Sequence, residues 1–596
     1  MRLLCHVVTP LLALGCAVTV ACAQWGPPPK KLIEYGWDVP YPDFVRQHTR
    51  EMEQRPFDGL IFRLRDYNLA FDVRPWREED LAPQLADLQG IEWRTFTDNF
   101  LCIYAAADSG MDWFNDEHWQ AISHNLRLTA RAARLGGCVG ICFDPEPYGR
   151  NPWEYSGGPR PFAEVAAQVR KRGAEFITAL QEELPILRLL TFFQLAIAGD
   201  LVDERDPKQL EERLSQNGYG LLPAFLNGML DAIAPGVRII DGNENAYYYT
   251  NADSYFRAYH YMKQRALSLI APENRDEYVA QVQAGMALYI DQVMALRPPA
   301  GEFLCYYMTP EERAAWFQHN VYYALTTTDE YVWCYSERMN WWQKQDIPPG
   351  AEQAIRSARR EVADGRPLGF DISDMIAAAQ SKWDEGVAAR TIKRTAGIRQ
   401  LAGNEPAPRI DGILDDAVWR DHQPLEHFLP PAAPNKDRPE AQTTAWVTFD
   451  DQNLYLAFRC QEPNPQQLKI VGEKRDDDIW EGDDVELFFS LGEKPVPYRH
   501  FIVNPAGLQF DEEATTEGDN HDFNAQWLSQ AHVGDAEWTV EIAIPWQALG
   551  GKPRPGESRR ANLCRQRCPV PELSAWSSIV RYFVEPDHFG VWVFAD

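Results

Sequence analysis

Between residues 31 and 360, short apolar runs alternate with amphipathic helical stretches, and no other feature constrains the fold as much. The runs fall at 31–37, 59–64, 92–96, 139–143, 187–195, 237–240, 282–290 and 331–335. Helical periodicity is clearest over 116–135, 162–184, 254–269 and 311–325. Strands joined through crossover helices pair in parallel, because a tight turn can only join antiparallel neighbours. Eight such units predict an α/β fold, a (β/α)8 TIM-type barrel over 28–360. A doubly wound open sheet is the alternative. It is disfavoured because no glycine-rich phosphate-binding turn follows the first run.

Barrels of this kind carry their chemistry where strands end and βα loops begin, so position selects the candidates. The first run ends at Trp37 and the second leads to Arg63 and Arg65, read as salt-bridge partners. The third leads to Asp98, and the fourth ends in Asp144, Glu146 and Tyr148, with prolines on both sides of Glu146. Gln194 closes the fifth run, Asp241, Asn243 and Glu244 the sixth, and Asp291 the seventh. After the eighth come Tyr335, Glu337 and Trp341. The set is rich in carboxylates, amides and aromatics. Histidine is scarce, at 12 in the chain, and no HExxH pair occurs, which argues against metal-dependent hydrolysis. Carboxylates beside flat aromatics suit glycoside hydrolysis, in which one carboxyl protonates the leaving oxygen and a second acts as nucleophile or as base for water. Glu146 is the first candidate acid and Glu337 its partner, with Asp144 and Glu244 behind them. Trp37, Tyr148, Gln194, Asn243, Tyr335 and Trp341 are the candidate substrate contacts. No cofactor is expected for catalysis.

After residue 360 the pattern changes. Residues 361–403 read as a polar helical extension and linker, and 404–596 switch to period two with turn signals between short strands. The run 445–449, the turn at Asp450-Asp451-Gln452-Asn453 and the run 454–460 form one hairpin signature; 501–503, Asn504-Pro505-Ala506-Gly507 and 508–510 form another. With further strands at 484–490 and 538–544, this predicts an antiparallel β-sandwich.

Three resemblances follow. Asp144-Pro145-Glu146 at the end of the fourth run is similar to the ending of the family 18 chitinase motif, but Cys142 stands where that motif needs a further Asp. The barrel resembles barrel glycosidases in general. The C-terminal region resembles family 9 carbohydrate-binding modules more closely. Ile410-Asp411-Gly412 through Trp419, Trp480-Glu481-Gly482-Asp483-Asp484-Val485-Glu486-Leu487-Phe488, 538–546 and Ala561-Asn562-Leu563-Cys564-Arg565 match its motifs in order. That resemblance implies a sugar clamped between two Trp rings and held by carboxylate, amide and Arg hydrogen bonds. Trp480, Glu486, Asn562, Arg565 and Trp576 are the residues it points to. It also implies a structural calcium at Asp476, Asp477, Asp478 and Asp483, unless these form a solvated acidic loop.

Charge and the N-terminus bound the rest. The net charge is −29, which excludes nucleic acid and anionic membrane surfaces as natural partners. Aromatics make up 12% of the chain, which favours flat ligands such as sugar rings. Residues 1–23 have a short positive start, an apolar run of about ten residues and the small-x-small site Ala21-Cys22-Ala23, the signature of an export signal. Lipid attachment at Cys16 or Cys22 is the alternative. No stretch is long enough to span a bilayer. The eight remaining cysteines lie mostly in apolar runs and show no zinc spacing. The chain therefore reads as an exported glycoside hydrolase, periplasmic or extracellular, acting on a poly- or oligosaccharide and carrying a sugar-binding module. The alternative is a carbohydrate-binding scaffold with an inactive barrel. Sequence does not fix the sugar, the linkage or the oligomeric state.

Overall fold

The computed structural model describes residues 29–37, 39–105, 110–297, 303–433, 438–516, 518–520, 523–568 and 570–595. The export signal expected over 1–23 lies outside them. The chain divides into two compact units. One runs up to Tyr289 and includes Asn320–Gln345 and Ile355–Leu368; the other holds Ile290–His319, Asp346–Ala354 and Gly369–Asp596.

The first unit is built on parallel strands β1 (Lys31–Gly36), β2 (Gly59–Phe62), β3 (Phe100–Tyr104), β4 (Gly140–Asp144), β5 (Arg188–Thr191), β6 (Arg238–Asp241), β7 (Val282–Ala284), β8 (Met286–Tyr289) and β9 (Tyr331–Ser336). Their order is β7-β6-β5-β4-β3-β2-β1-β9-β8. Since β7 and β8 are halves of one run broken at Gly285, the order returns on itself, as in a TIM-type barrel. A Cβ at Gly285 would lie 2.8 Å from the Ile240 side chain, so the break needs a residue without one. Every residue of β2 and β4 is buried, as expected for strands covered on both faces. Helices Asp116–Leu135 and Phe162–Glu183 fall where periodicity placed them, and Asn115 caps the first by accepting the Glu117 and His118 N–H groups.

One predicted strand is wrong. Residues 92–96 are not a strand, because the Glu53 carboxylate accepts the N–H groups of Arg94, Thr95 and Phe96 and takes the donors a ladder would use. The third strand is instead Phe100–Tyr104. Asp98 therefore precedes a strand rather than ending one; it accepts from the Tyr331 hydroxyl at 2.8 Å and pairs with Lys31 at 2.6 Å.

The second unit contains two sheets. The larger has the order β10 (Thr395–Arg399), β21 (Gly590–Ala595), β19 (Ser558–Arg567), β13 (Asp484–Ser490), β14 (Tyr498–Val503), β15 (Gln509–Thr515), β16 (Gly518–Asn520), with β20 (Glu572–Ala575) beside β19. The smaller has the order β11 (Thr443–Phe449), β12 (Asn453–Gln461), β18 (Glu537–Pro545), β17 (Leu528–Val533). Strand β10 belongs to the sandwich through its parallel pairing with β21, although its residues read as linker. Side-chain alternation sorts β13: Val485, Leu487 and Phe489 enter the core between the sheets, whereas Phe488 joins a cluster on the opposite face. All eight described cysteines are free.

Candidate active site and sugar-binding pocket

Strands β4 and β6 bring three carboxyls together. Asp144 ends β4 and is fully buried; its Oδ1 accepts the Glu146 N–H at 2.9 Å, which fixes the backbone of the Pro-flanked turn. Trp153 holds the same turn by donating its indole N–H to the Pro145 carbonyl at 2.6 Å. Glu146 points outward, and the Tyr148 hydroxyl donates to its Oε2 at 2.7 Å. Glu244 follows β6, just after Asn243, which adopts a left-handed backbone (φ 46°).

The three groups act on one another. Burial pushes the Glu244 carboxyl up to about 7, and the charge of Glu146 adds to the rise. Burial likewise raises Asp144 well above the usual carboxylate range, opposed by the Glu146 N–H and reinforced by the charges of Glu146 and Glu244. Tyr219 feels all three: burial, then Glu146, Glu244 and Asp144, raise its hydroxyl to about 12. Beneath them Tyr35, Tyr247, Tyr289 and Tyr335 pack ring against ring, with Tyr247 and Tyr335 stacked at 5.7 Å.

Beside this cluster opens a cleft of about 400 Å³ over the ends of β1 to β4. Trp37, which is 67% exposed, and Tyr148 offer ring surface; Arg63, Asn68 and Tyr104 line the rest. Arg63 was expected to form a salt bridge, yet among the described residues it pairs with no carboxylate. Its Nη2 donates to the Tyr41 hydroxyl at 3.4 Å, and its guanidinium lies 5.5 Å from the Tyr41 ring and 6.0 Å from the Tyr104 ring.

The other sequence candidates fall elsewhere. Glu337 accepts from the Tyr335 hydroxyl at 3.3 Å, at the edge of the tyrosine cluster, and lies 3.9 Å from Arg338. Gln194 is buried, and its backbone N–H goes to Asp241, which also accepts the Ala196 N–H and so ties the ends of β5 and β6. Asn243 donates to the Tyr249 hydroxyl and the Met286 sulfur. Trp341 is a correction: it is fully buried and packs edge-on against Phe57 at 5.3 Å, so no ring face is left for a sugar.

In the sandwich a second pocket of about 400 Å³ opens on the outer face of β13, β14 and β15. Trp480, 40% exposed, and Tyr582, 65% exposed, both line it. Its floor is polar. The His500 ring lies between two carboxylates, 2.6 Å from Glu486 and 2.9 Å from Glu512, and stacks on Phe488 with centroids 4.0 Å apart. Gln566 donates to the carbonyls of Trp480 and Gly482 and so fixes the loop that carries the Trp.

Three residues that the resemblance pointed to are not here. Trp576 is buried in the core between the sheets. Asn562 is fully buried and exchanges hydrogen bonds with the Ser577 backbone, N–H to Oδ1 and Nδ2 to O, both at 2.9 Å. Arg565 is 1% exposed and pairs with the buried Glu462. Trp576 and Arg565 are turned into the interior, and Asn562 is spent on the Ser577 backbone. His500, Glu512 and Tyr582 went unnoticed in the sequence. The alternation Tyr498-Arg499-His500 and the adjacent aromatics Tyr582-Phe583 were the signals available for them.

The four acids proposed for calcium do not form a cage. Asp483 accepts the Lys469 and Cys568 N–H groups, Asp477 those of Glu473 and Lys474, and Asp476 the Asn524 amide. Among the described residues no group of three or more His, Cys, Asp or Glu is arranged for a metal ion.

Residues 410–563 match the family model described as carbohydrate family 9 binding domain-like. The pocket under Trp480 belongs to this family-9-like region and its continuation to Val584. Among curated proteins no match is found. Similar solved structures include a family 9 carbohydrate binding module from Caldicellulosiruptor kristjanssonii in complex with cellotriose, 14% identical, over 34% of this chain and 94% of that one, with a TM-score of 0.25. They also include a GH18 chitinase from Pseudoalteromonas aurantia, 11% identical, over 55% of this chain and 100% of that one, with a TM-score of 0.28. An endo-beta-mannanase/endo-beta-glucanase of Prevotella bryantii is 10% identical over 55% of this chain and 48% of that one, with a TM-score of 0.30. At these scores the likenesses carry no argument, and the fold rests on strand order and register. No helix among the described residues is long and apolar enough to cross a membrane.

Proposed function

We propose that the barrel hydrolyses glycosidic bonds and that the family-9-like domain holds the same glycan. The observation that carries this reading is the coupled carboxyl group at the ends of β4 and β6. A carboxyl raised to about 7 is protonated in about half of the molecules at neutral pH and can deliver that proton to a leaving oxygen. Glu244 therefore takes the role of general acid, which the sequence reading gave to Glu146. Glu146, more exposed and oriented by the Tyr148 hydroxyl, serves as nucleophile or as base for water. Asp144 holds the Glu146 backbone in place. Trp37 and Tyr148 supply stacking surface for a pyranose ring.

Sugar binding by the second domain is supported by the family match over 410–563 and by exposed Trp480 and Tyr582 above a polar floor. Export is supported by the composition of residues 1–23.

The test is turnover on a panel of polysaccharides and aryl glycosides. Glu244→Gln should lower kcat about 10²–10⁴-fold on substrates with poor leaving groups and much less on activated aryl glycosides, which need no acid. A Glu244→Gln enzyme keeping more than about a third of its activity on both substrate types would remove Glu244 from the role.

A further inference from the structure

Arg63 lines the cleft at the ends of β1 to β4, and among the described residues no carboxylate pairs with its charge. Its Nε is buried with no hydrogen-bond partner, its hydrogen bond to the Tyr41 hydroxyl is long at 3.4 Å, and its other side-chain partner is the Tyr104 hydroxyl, again not an acid. The rings of Tyr41 and Tyr104 lie beside it and favour a cation, but they do not fill its fork of donors. Arg172 in the same unit, more deeply buried than Arg63, pairs with both Asp116 and Glu175. Arg65, on the other side of Tyr41, lies 3.8 Å from Asp43. In a chain of net charge −29 the general field repels anions, so an anion reaching this cleft needs a local cation such as Arg63.

We propose that this cleft selects a sugar carrying an anionic substituent, a hexuronate carboxylate, with Arg63 as its counter-ion. The inference rests on the carbohydrate reading above and names its substrate class. A planar guanidinium presents paired donors that match a carboxylate or a sulfate ester, whereas a neutral hydroxyl would leave the charge uncompensated. The cleft has two chemically distinct ends. The anionic group lies at the Arg63 end. The bond to be cut lies at the Tyr148 end, where Tyr148 meets Glu146. The two charges therefore do not compete for one position on the sugar.

Calorimetric binding to the full chain tests this, in a Trp480→Ala background that weakens the sandwich pocket's contribution. The ligands are glucuronate- and galacturonate-containing oligosaccharides, their neutral glucose and galactose counterparts, and a sulfated counterpart. Uronate ligands should bind at least about tenfold more tightly than neutral ones, and Arg63→Gln should remove that margin. If Arg63→Gln melts early, Arg63→Lys decides: it keeps the charge and loses the fork, and uronate affinity should fall at least about threefold. Tighter binding of the sulfated ligand than of the uronate would overturn the carboxylate assignment. Equal affinity for charged and neutral sugars, or a margin that survives both substitutions, would overturn the proposal while the hydrolase reading stands. Absence of binding by every sugar would overturn both. Binding is read without turnover, so an inactive barrel that still prefers uronates would sink only the hydrolase reading.

Discussion

The His500 Nε2 atom lies 2.6 Å from the Glu486 carboxylate, and its Nδ1 lies 2.9 Å from Glu512, so one buried imidazole bridges two acids on neighbouring strands. Burial alone would lower the histidine; the charges and hydrogen bonds of Glu486 and Glu512 outweigh it and hold the ring at about 9. The group is raised in the folded state above its unfolded value of about 6.5. Its stabilisation is therefore complete below about pH 6.5 and is lost as pH rises through 9. The melting transition of the sandwich should move down by a few degrees between pH 6.5 and 9.5, and His500→Gln should abolish that part of the slope. Scanning calorimetry of wild type and variant at several pH values measures it, and identical slopes would discount the imidazolium bridge.

The coupling between Glu146 and Glu244 predicts a shift in a titration. Activity should fall as pH rises above about 7, where Glu244 loses its proton. Glu146→Gln removes the neighbouring charge but not the burial, so Glu244 should titrate below 7 yet remain above its ordinary 4.5. Carboxyl-detected NMR with the Glu244→Gln protein as assignment control follows the group directly. A Glu244 titration unmoved by Glu146→Gln would mean that the two carboxyls do not sense each other.

Trp480 and Trp576 should behave oppositely although both were candidate sugar planks. Trp480→Ala removes exposed ring surface from the pocket and should weaken sugar binding by the sandwich at least tenfold, with little change in melting temperature. Trp576→Ala empties part of the core between the sheets and should cost about 3–5 kcal/mol of stability. Denaturant unfolding paired with calorimetric titration separates the two effects.

Glu462 should prove indispensable to the fold. It is fully buried, receives both Arg567 Nε at 2.7 Å and Nη2 at 3.1 Å, and lies 3.4 Å from Arg565. Glu462→Gln would leave two enclosed guanidiniums short of their shared anion, at a cost of about 3–5 kcal/mol. Urea unfolding of the variant checks this; a loss under about 1 kcal/mol would show that solvent compensates the pair.

Periodicity by itself determined the layer architecture. Apolar runs spaced by amphipathic helices admit a parallel sheet with covered faces, and a switch to period two admits an antiparallel sandwich, because side-chain direction follows backbone geometry residue by residue. The same logic placed Asp144, Glu146 and Glu244 at strand ends, where loops meet. It failed where a distant side chain intervened, as when Glu53 took the N–H groups of 94–96 and moved the third strand to Phe100–Tyr104. Only tertiary structure decided which face each motif residue shows. Glu486 meets His500 outside the sheet core, whereas Asn562 and Arg565 are spent on Ser577 and Glu462. Only it brought Glu244 near enough to Glu146 to raise its proton affinity, and left Arg63 facing rings instead of an acid. These relations depend on contacts between residues far apart in the chain, and local sequence carries no record of distance across a barrel mouth.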